Sequence, residues 1–571
     1  MARSKVSIIG GGPAGSVAAL TLHKLGHDVT VYERSRFPRY RIGESLLPGT
    51  MSILQRLGLQ EKLDAQNYVK KPSATFLWGQ DQAPWTFSFA APKVAPWVFD
   101  HAVQVDRRQF DQLLLEEARN RGVTVLEEAN VTEVDISRPD GVTLTVRHNG
   151  ETLHPESDFV IDAGGANSPL ARQLGVRRYD EFYKNFAIWS YFTMKDPFEG
   201  DLKGTTYSIT FEDGWVWMIP VKDDVYSVGL VVDRDKAGEV RELGADEFYR
   251  STLAKCAGAV EILGDAPQVD EVRIVHDWSY EAESFSADRY FLCGDAACFT
   301  DPLFSQGVHL ASQSAVCAAA SIDRIARDEA ESQAVHAWYN RTYRSAYEEY
   351  HEFLASFYTY ASFTEPDSEF WRKRRITESD DERLSRRTWF EKLAGGGADG
   401  NGVTVPNFHD RAATMITIGK HQRKGLSDEF SEEELNGARV RWISDLTKRL
   451  NSITRLRWSG DKALLKPYYR VDRTTFRLEP REILANEEGL DMAHYPLDEE
   501  TRQVFQELAE EEFGYRDLIK RLRGAGHQEI GTQLVLRLME AGLLSGYDKN
   551  GDRVIVQGRL HFGGVGVEYE V

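Results

Sequence analysis

The sequence predicts an α/β fold with a second, antiparallel sheet and an added, mainly helical C-terminal domain. Three observations predict it. Residues 5–34 read as strand, turn, helix, strand; residues 183–275 alternate apolar and polar positions; and the glycine-dense run Gly395–Gly402 precedes a charged, helix-rich remainder.

The first observation is a βαβ unit. Val6–Ile9 is a short apolar strand, Ser16 to Leu25 is apolar at helical spacing, Gly26 stops that helix, and Val29–Tyr32 is the next strand. Residues 35–50 are polar and rich in Arg, Gly and Pro, which predicts a loop. Helices are expected at 50–64 and 107–120, and strands at 123–126, 131–135 and 142–147. Phe159–Asp162 is another apolar strand, ending in Gly164-Gly165. In the second observation, Thr206–Phe211, Val216–Ile219 and Ser227–Val232 alternate as strands with one covered face. Tyr290–Cys293 then meets Gly294-Asp295, and long helices fill 307–360. These elements place a core over 1–360, with nucleotide-binding parts at 1–180 and 276–330 around a substrate-sheet part at 181–275. In the third, residues 361–402 form a linker, because glycine this dense cannot hold regular structure. Residues 403–571 form the added domain, where Arg516–Leu522, Glu529–Ala541 and Arg553–Gln557 read as helix, helix, wing. No internal repeat is visible.

Composition narrows the function classes. A formal net charge of -20 repels phosphate backbones and acidic membrane surfaces, so neither nucleic acid nor membrane is an expected partner. Within the C-terminal domain, Arg516, Lys520, Arg521 and Arg523 are interspersed with Glu511, Glu512, Asp517 and Glu529, which gives no basic stripe. The four cysteines, Cys256, Cys293, Cys298 and Cys317, form no CxxC pair and have no His cluster beside them, so no metal site is expected. The Val6–Ile9 run is too short for a secretion signal, and nothing approaches the roughly 18 apolar residues of a membrane span. A cytoplasmic enzyme is the expectation.

The chemistry begins at Gly10-Gly11-Gly12-Pro13-Ala14-Gly15. It contains G-x-G-x-x-G, follows a strand and opens a helix. Glycines at Gly10, Gly12 and Gly15 let backbone approach a pyrophosphate, while Pro13 and Ala14 start a helix whose N-terminus favours an anion. Glu33, at the end of the second strand, can accept hydrogen bonds from ribose hydroxyls, and its charge rejects a 2′-phosphate; Arg34 adjoins it. NAD and FAD share this fingerprint. Gly294-Asp295-Ala296-Ala297, leading to Pro302 and a helix, resembles the second FAD motif of the p-hydroxybenzoate hydroxylase class. Asp162-Ala163-Gly164-Gly165-x-x-Ser168 resembles its middle motif, with Ala163 replacing the usual glycine. Arg107 stands where that class places an FAD-contacting arginine. The three motifs in order imply FAD, with Asp295 on ribityl or pyrophosphate oxygens.

A further motif narrows the class. Gly214-Trp215-Val216-Trp217-Met218-Ile219-Pro220 fits W-x-W-x-I-P, the signature that separates flavin-dependent halogenases from hydroxylases. Trp215, Trp217, Ile219 and Pro220 carry it, and two indoles at period two share one face of a strand. Arg39-Tyr40-Arg41-Ile42-Gly43-Glu44-Ser45 resembles that family's R-x-G-E-S loop near the flavin ring, which implies cofactor contacts for Arg41 and Ser45. Lys71-Pro72-Ser73 resembles its K-x-G, with Ser73 a departure. Pro302-Leu303-Phe304-Ser305-Gln306-Gly307 resembles its halide loop, where indole-chlorinating members carry Glu in place of Phe304. The resemblance covers roughly residues 1–360. With the acidic extension, the pattern is most similar to the branch serving chloramphenicol biosynthesis, which implies aliphatic chlorination toward a dichloroacetyl group.

What this resemblance implies is specific. FADH2, O2 and chloride form hypochlorous acid. Chloride sits at the amides of Gln306 and Gly307, at a helix start. Lys71 directs the oxidant, as ammonium or as an amine forming a chloramine, and burial would favour the amine. Glu44 tunes flavin or lysine, or pairs with Arg41. Asp277 or His276, passing the dimethylbenzene edge, could link FAD covalently. Without a separate NAD(P)H motif, a partner flavin reductase supplies electrons, and the acyl substrate could ride a thioester carrier. A flavin hydroxylase is the alternative, against which Trp215, Trp217 and Lys71 speak. The C-terminal domain is expected to dock, to cover a channel or to bind a carrier, and its tail Val565–Val571 to tuck into a groove.

Overall fold

A computed structural model describes residues 3–79, 84–89, 99–222, 224–275, 278–375, 432–458, 464–485, 503–504, 507–508, 511, 513–524, 531–540 and 544–556. The chain divides into two compact units. The first comprises Met1–Trp389, Val405–Asn407 and Val471–Leu478.

A six-stranded sheet organises the first unit. Its order is Ser286–Ala287, Tyr290–Leu292, Phe159–Asp162, Lys5–Ile9, Asp28–Tyr32, Thr124–Leu126. Five neighbouring strands run parallel and Ser286–Ala287 closes one edge antiparallel. The helix Pro13–Leu25 starts on a proline and ends at Gly26, whose φ of 94° lets its N–H cap the carbonyls of His23 and Leu22. Val17, Leu20 and Leu22 of this helix are fully enclosed; each such side chain contributes about 2 kcal/mol of hydrophobic stabilisation.

A nine-stranded sheet builds the other wall. Along it lie Cys298–Phe299, Trp278–Ala282, Arg177–Thr193, Val225–Asp233, Gly214–Lys222, Thr206–Phe211, Ser73–Leu77 and Pro84–Ser88. The alternating segments of the sequence are strands here, with two differences. Ser73–Leu77 joins Thr206–Phe211 in parallel, inside an otherwise antiparallel sheet. Helices Ala237–Leu243, Ala245–Leu253 and Ala257–Leu263 interrupt the stretch that alternation alone assigned to strands. They are short, and their apolar residues Phe248, Tyr249, Leu253, Ala259 and Leu263 cover the back of the sheet against Ile188, Val216, Met218 and Val228. Short amphipathic helices carry too few turns to stand out by periodicity.

In the second unit the described helices are Glu432–Ser452, Tyr515–Gly524 and Gly531–Glu540. Strands Arg455–Trp458, Leu544–Tyr547 and Arg553–Val554 form an antiparallel sheet, so helix, helix and hairpin follow one another as the sequence suggested. Leu464–Val471 pairs with Leu478–Ala485, so the chain beyond residue 403 carries more strand than its helix-rich sequence indicated. Leu446, Leu450, Leu456, Leu518, Leu522 and Val535 form the unit's core. Gly395–Gly402 and Val565–Val571 lie outside the described residues. Among the described residues no helix is long and apolar enough to cross a membrane, and no cluster of His, Cys, Asp and Glu is arranged to hold a metal. All four cysteines are buried thiols.

Candidate flavin and halide site

Three motif loops meet because three strands end side by side. Gly10 N donates to Tyr32 O at 2.8 Å, Ala163 N to Ile9 O at 2.9 Å and Cys293 N to Asp162 O at 2.9 Å. The carboxyl ends of parallel strands are where open α/β sheets bind ligands. A cavity of about 560 Å³ opens there.

Its floor is the glycine loop. Gly10, Gly12, Pro13 and Ala14 line it, with Glu33 and Arg34 beside them. Gly15 lies behind the wall and permits it: a Cβ there would fall 1.9 Å from Gly10 O, so only glycine lets helix and strand approach. Glu33 is buried; Oε2 accepts from Gly11 N at 2.7 Å and Oε1 from Ser35 N at 2.8 Å. Each oxygen retains a lone pair for a ribose hydroxyl.

The middle motif is held by Asp162, whose carboxylate accepts from Gly164 N, Ser168 Oγ and Leu170 N. Asp295 lines the cavity, half-buried, and loss of solvent raises its pKa to about 6 against the pull of Arg107 and Arg177. Arg107 also lines it and is held by Asp111 and by the carbonyls of Ile42 and Gly43. This fork fixes the loop carrying Arg41, Glu44 and Ser45, all of which face the cavity. The enclosed glycine cradle, the distal acid and the paired arginine match the donors and acceptors of FAD. Asp277 and His276 lie outside the described residues.

The opposite wall carries Trp215, Trp217 and Ile219, while Pro220 stands off it. Val216 and Met218 point the other way, into the sheet's core. The two indoles lie 6.1 Å apart and are almost wholly enclosed. Trp215 Nε1 donates to Tyr358 Oη at 2.7 Å, and Tyr358 donates to Asp301 Oδ2 at 2.7 Å. Asp301 caps the turn Pro302–Phe304 by accepting from Leu303 N. Burial lifts Asp301 to about 6, although Tyr358, Leu303 and Asn185 all donate to it.

Pro302, Gln306 and Gly307 bring the halide loop to the cavity. Gly307 begins a 21-residue helix. Its first i to i−4 bond runs from Leu310 N to Gln306 O at 2.9 Å, so the amides before it have no helical acceptor. Gln306 Nε2 is spent on Asp301 O at 2.6 Å. Phe304 packs on Phe76 and Phe357, an apolar setting.

Lys71 does not line this cavity. Its Nζ is enclosed and donates to Leu46 O at 3.2 Å and to Ser305 Oγ at 3.4 Å. Ser305, held at φ 58°, does line it, so one hydroxyl stands between amine and cavity. Burial alone lowers the Lys71 pKa to about 7. Neighbouring Lys70 is exposed. Glu44 is pushed up to about 7 by burial and accepts from Tyr191 Oη at 2.7 Å, with no ion pair to Arg41 among the described contacts. Sequence reasoning did not single out Ser305, Asp301, Tyr191 or Tyr358. Tyr191 meets Glu44 from 147 positions away, a separation without local pattern.

Comparison with known proteins follows the same division. Residues 5–99 and 91–399 match the tryptophan halogenase family, and 442–559 match the C-terminal domain of the chloramphenicol halogenase CmlS. The crystal structure of CmlS, a flavin-dependent halogenase, is 76% identical and superposes with a TM-score of 0.83, covering 99% of this chain and 100% of that one. A tryptophan 2-halogenase of Chondromyces crocatus is 33% identical over 361 residues, 62% of this chain and 68% of its own. A 1H-pyrrole-2-carbonyl-[peptidyl-carrier protein] chlorinase of Pseudomonas fluorescens is 30% identical over 387 residues, 62% of this chain and 83% of its own. The chain belongs to the tryptophan halogenase family of FAD-dependent halogenases.

Proposed function

We propose that this enzyme chlorinates the activated carbon of an aliphatic acyl group, toward dichloroacetyl formation in antibiotic biosynthesis, with Lys71 directing the oxidant. The observation that carries it is the enclosed Lys71 amine, held by Ser305 at the cavity wall, with a pKa brought down to about 7. When bound, reduced FAD supplies the reduction of O2 that oxidises chloride to hypochlorous acid. Chloride is held by the unpaired amides of Gln306 and Gly307, where the helix dipole favours an anion. Trp215 and Trp217 exclude water. The neutral Lys71 amine takes chlorine from hypochlorous acid, forming N–Cl and water, or its ammonium donates a hydrogen bond to the acid. Chlorine then replaces a proton on the acidified carbon.

The substrate class follows from similarity and setting. The chain resembles CmlS at 76% identity. A more distant relative is named for a carrier-bound acyl substrate. Phe304 stands in an aromatic cluster where indole-chlorinating members carry a glutamate. A thioester-bound acyl substrate, a separate flavin reductase and a covalent link from Asp277 to FAD belong to this reading, as do a core at 1–360 and an appended domain at 403–571. The test is mass spectrometry of products from acyl thioesters with reduced FAD, O2 and chloride. One or two chlorines on the acyl carbon are expected. A hydroxylated product, unchanged when chloride is withheld, makes the enzyme a hydroxylase instead.

A further inference from the structure

We propose that Arg374 is a positioning residue for the halide turn: through the carboxamide of Asn185 it holds Asp301 in the triply hydrogen-bonded form that sets Pro302–Gly307. The proposal rests on the halide reading of that turn. Residues 361–402 are expected to be a linker, yet Ser368–Arg374 within them is packed. Ser368 Oγ donates to Glu212 O at 2.6 Å and Trp371 Nε1 to Phe211 O at 2.9 Å, so the segment is fastened to the end of the strand Thr206–Phe211. Trp371 is wholly enclosed. Arg374 follows, 2% exposed, with its guanidinium over the Phe370 ring at 3.9 Å.

Donor and acceptor chemistry fixes which atoms face which. Asn185 and Asp233 stand opposite each other on neighbouring strands, and Arg374 lies across the pair. Its Nη1 and Nη2 donate to Asp233 Oδ2 at 3.1 Å each, and Nη2 also donates to Asn185 Oδ1. A guanidinium has no acceptor, so the Asn185 oxygen must face it and the Asn185 NH2 must face away. That NH2 donates to Asp301 Oδ2 at 3.1 Å. Trp215 does the same on the other side: its Nε1 can only donate, which turns the Tyr358 hydrogen onto Asp301 Oδ2. Leu303 N supplies the third donor, to Oδ1. A proton on either carboxyl oxygen would therefore meet a donor.

The charges agree with this arrangement. Facing Asp301 are Tyr358 of the helix Ser332–Thr364, Tyr183 and Asn185 of the strand Arg177–Thr193, and Arg374, with Asp233 and Lys373 behind it. Burial and the Asp301 charge hold Tyr358 and Tyr183 well above the ordinary phenol range, so both stay neutral. Burial lifts Asp301 to about 6; the Tyr358, Leu303 and Asn185 hydrogen bonds oppose that rise, and Arg374 adds a positive charge against it. Without Arg374 the Asn185 amide is free to turn. Its oxygen then faces the carboxylate, and Asp301 takes up a proton at higher pH. The cap on Leu303 N weakens, and the amides of Gln306 and Gly307 lose their place.

The experiment is calorimetric titration of chloride into holoenzyme across pH, so the acyl substrate does not enter. In wild type the chloride dissociation constant rises as pH falls through about 6, where Asp301 gains its proton. In Arg374→Gln, whose side chain can accept as well as donate, chloride binds about tenfold more weakly at pH 7 and that limb moves up by about one pH unit. Arg374→Lys keeps a donor-only cation and restores affinity to within about threefold of wild type. Arg374→Gln in an Asp233→Asn background strands no buried carboxylate and shows the same two changes. FAD affinity, measured by fluorescence, stays within about twofold in each. A contribution confined to packing would weaken chloride binding equally at every pH and leave the limb in place. That result, or wild-type chloride affinity in folded Arg374→Gln, overturns the proposal. A wild-type enzyme that binds no chloride overturns the halide reading instead.

Discussion

Lys71 Nζ reaches the Ser305 hydroxyl across 3.4 Å, which couples the strand Val69–Lys71 to the turn that precedes the helix Gly307–Arg327. Lys71→Ala removes the amine and leaves every cavity-lining residue in place. Chlorination of the acyl substrate should fall by about 100-fold or more, while flavin reoxidation continues and hypochlorous acid escapes to a trap. Product mass spectra and flavin absorbance, followed together, check it. Unchanged product removes Lys71 from the reaction.

The burial of this amine also makes stability depend on pH. The folded pKa, about 7, lies below the ordinary lysine value of 10.5, so the folded state releases a proton that the unfolded state keeps. The sign is therefore a destabilisation. It is absent above pH 10.5, grows as pH falls and is complete below 7. Lys71→Met should stabilise the protein by a few kcal/mol, roughly 3–5, at pH 6 and by almost nothing at pH 11. Thermal melts across that range check it. For activity the direction is opposite: the amine route strengthens as pH rises through about 7.

The parts of the site that were legible in the sequence are those where backbone geometry restricts residue choice. Gly10, with φ of 95° and a would-be Cβ 2.5 Å from Ala163 O, admits glycine alone, so the loop is visible as a string of letters. Trp215 and Trp217 were legible because a strand's period of two puts them on one face. The anchors were not. Tyr358 meets Trp215 across 143 positions, and a tyrosine on a long helix looks like any core aromatic. The three helices between Ala237 and Leu263 were lost for the complementary reason: elements of seven to nine residues have too short a period to outweigh the alternation around them.

Tyr358 carries two tasks with one hydroxyl. It accepts from Trp215 Nε1 and donates to Asp301 Oδ2, each at 2.7 Å. Tyr358→Phe leaves an indole N–H and a carboxylate buried with one partner fewer. Stability should drop by about 1–3 kcal/mol, read by denaturant melts. Halide KM should rise more than the FAD dissociation constant, because Asp301 caps the turn that presents Gln306 and Gly307.

Gly229 tests whether the tryptophan wall matters to chemistry or only to packing. It pairs with Trp217 across the sheet, and a Cβ added there would fall 2.1 Å from the indole Cζ2. Gly229→Ala must push the ring from its place beside Ser227, to which its Nε1 donates at 3.2 Å. Overpacking of this kind costs about 1–3 kcal/mol. The glycine loop, Glu33 and Arg107 lie elsewhere on the cavity wall, so FAD should bind nearly as before. If the indoles keep water from the oxidant, chlorinated product per flavin oxidised should fall about tenfold or more while peroxide release rises. If product yield per flavin holds steady while the melting temperature falls, Trp217 serves the sheet and not the reaction.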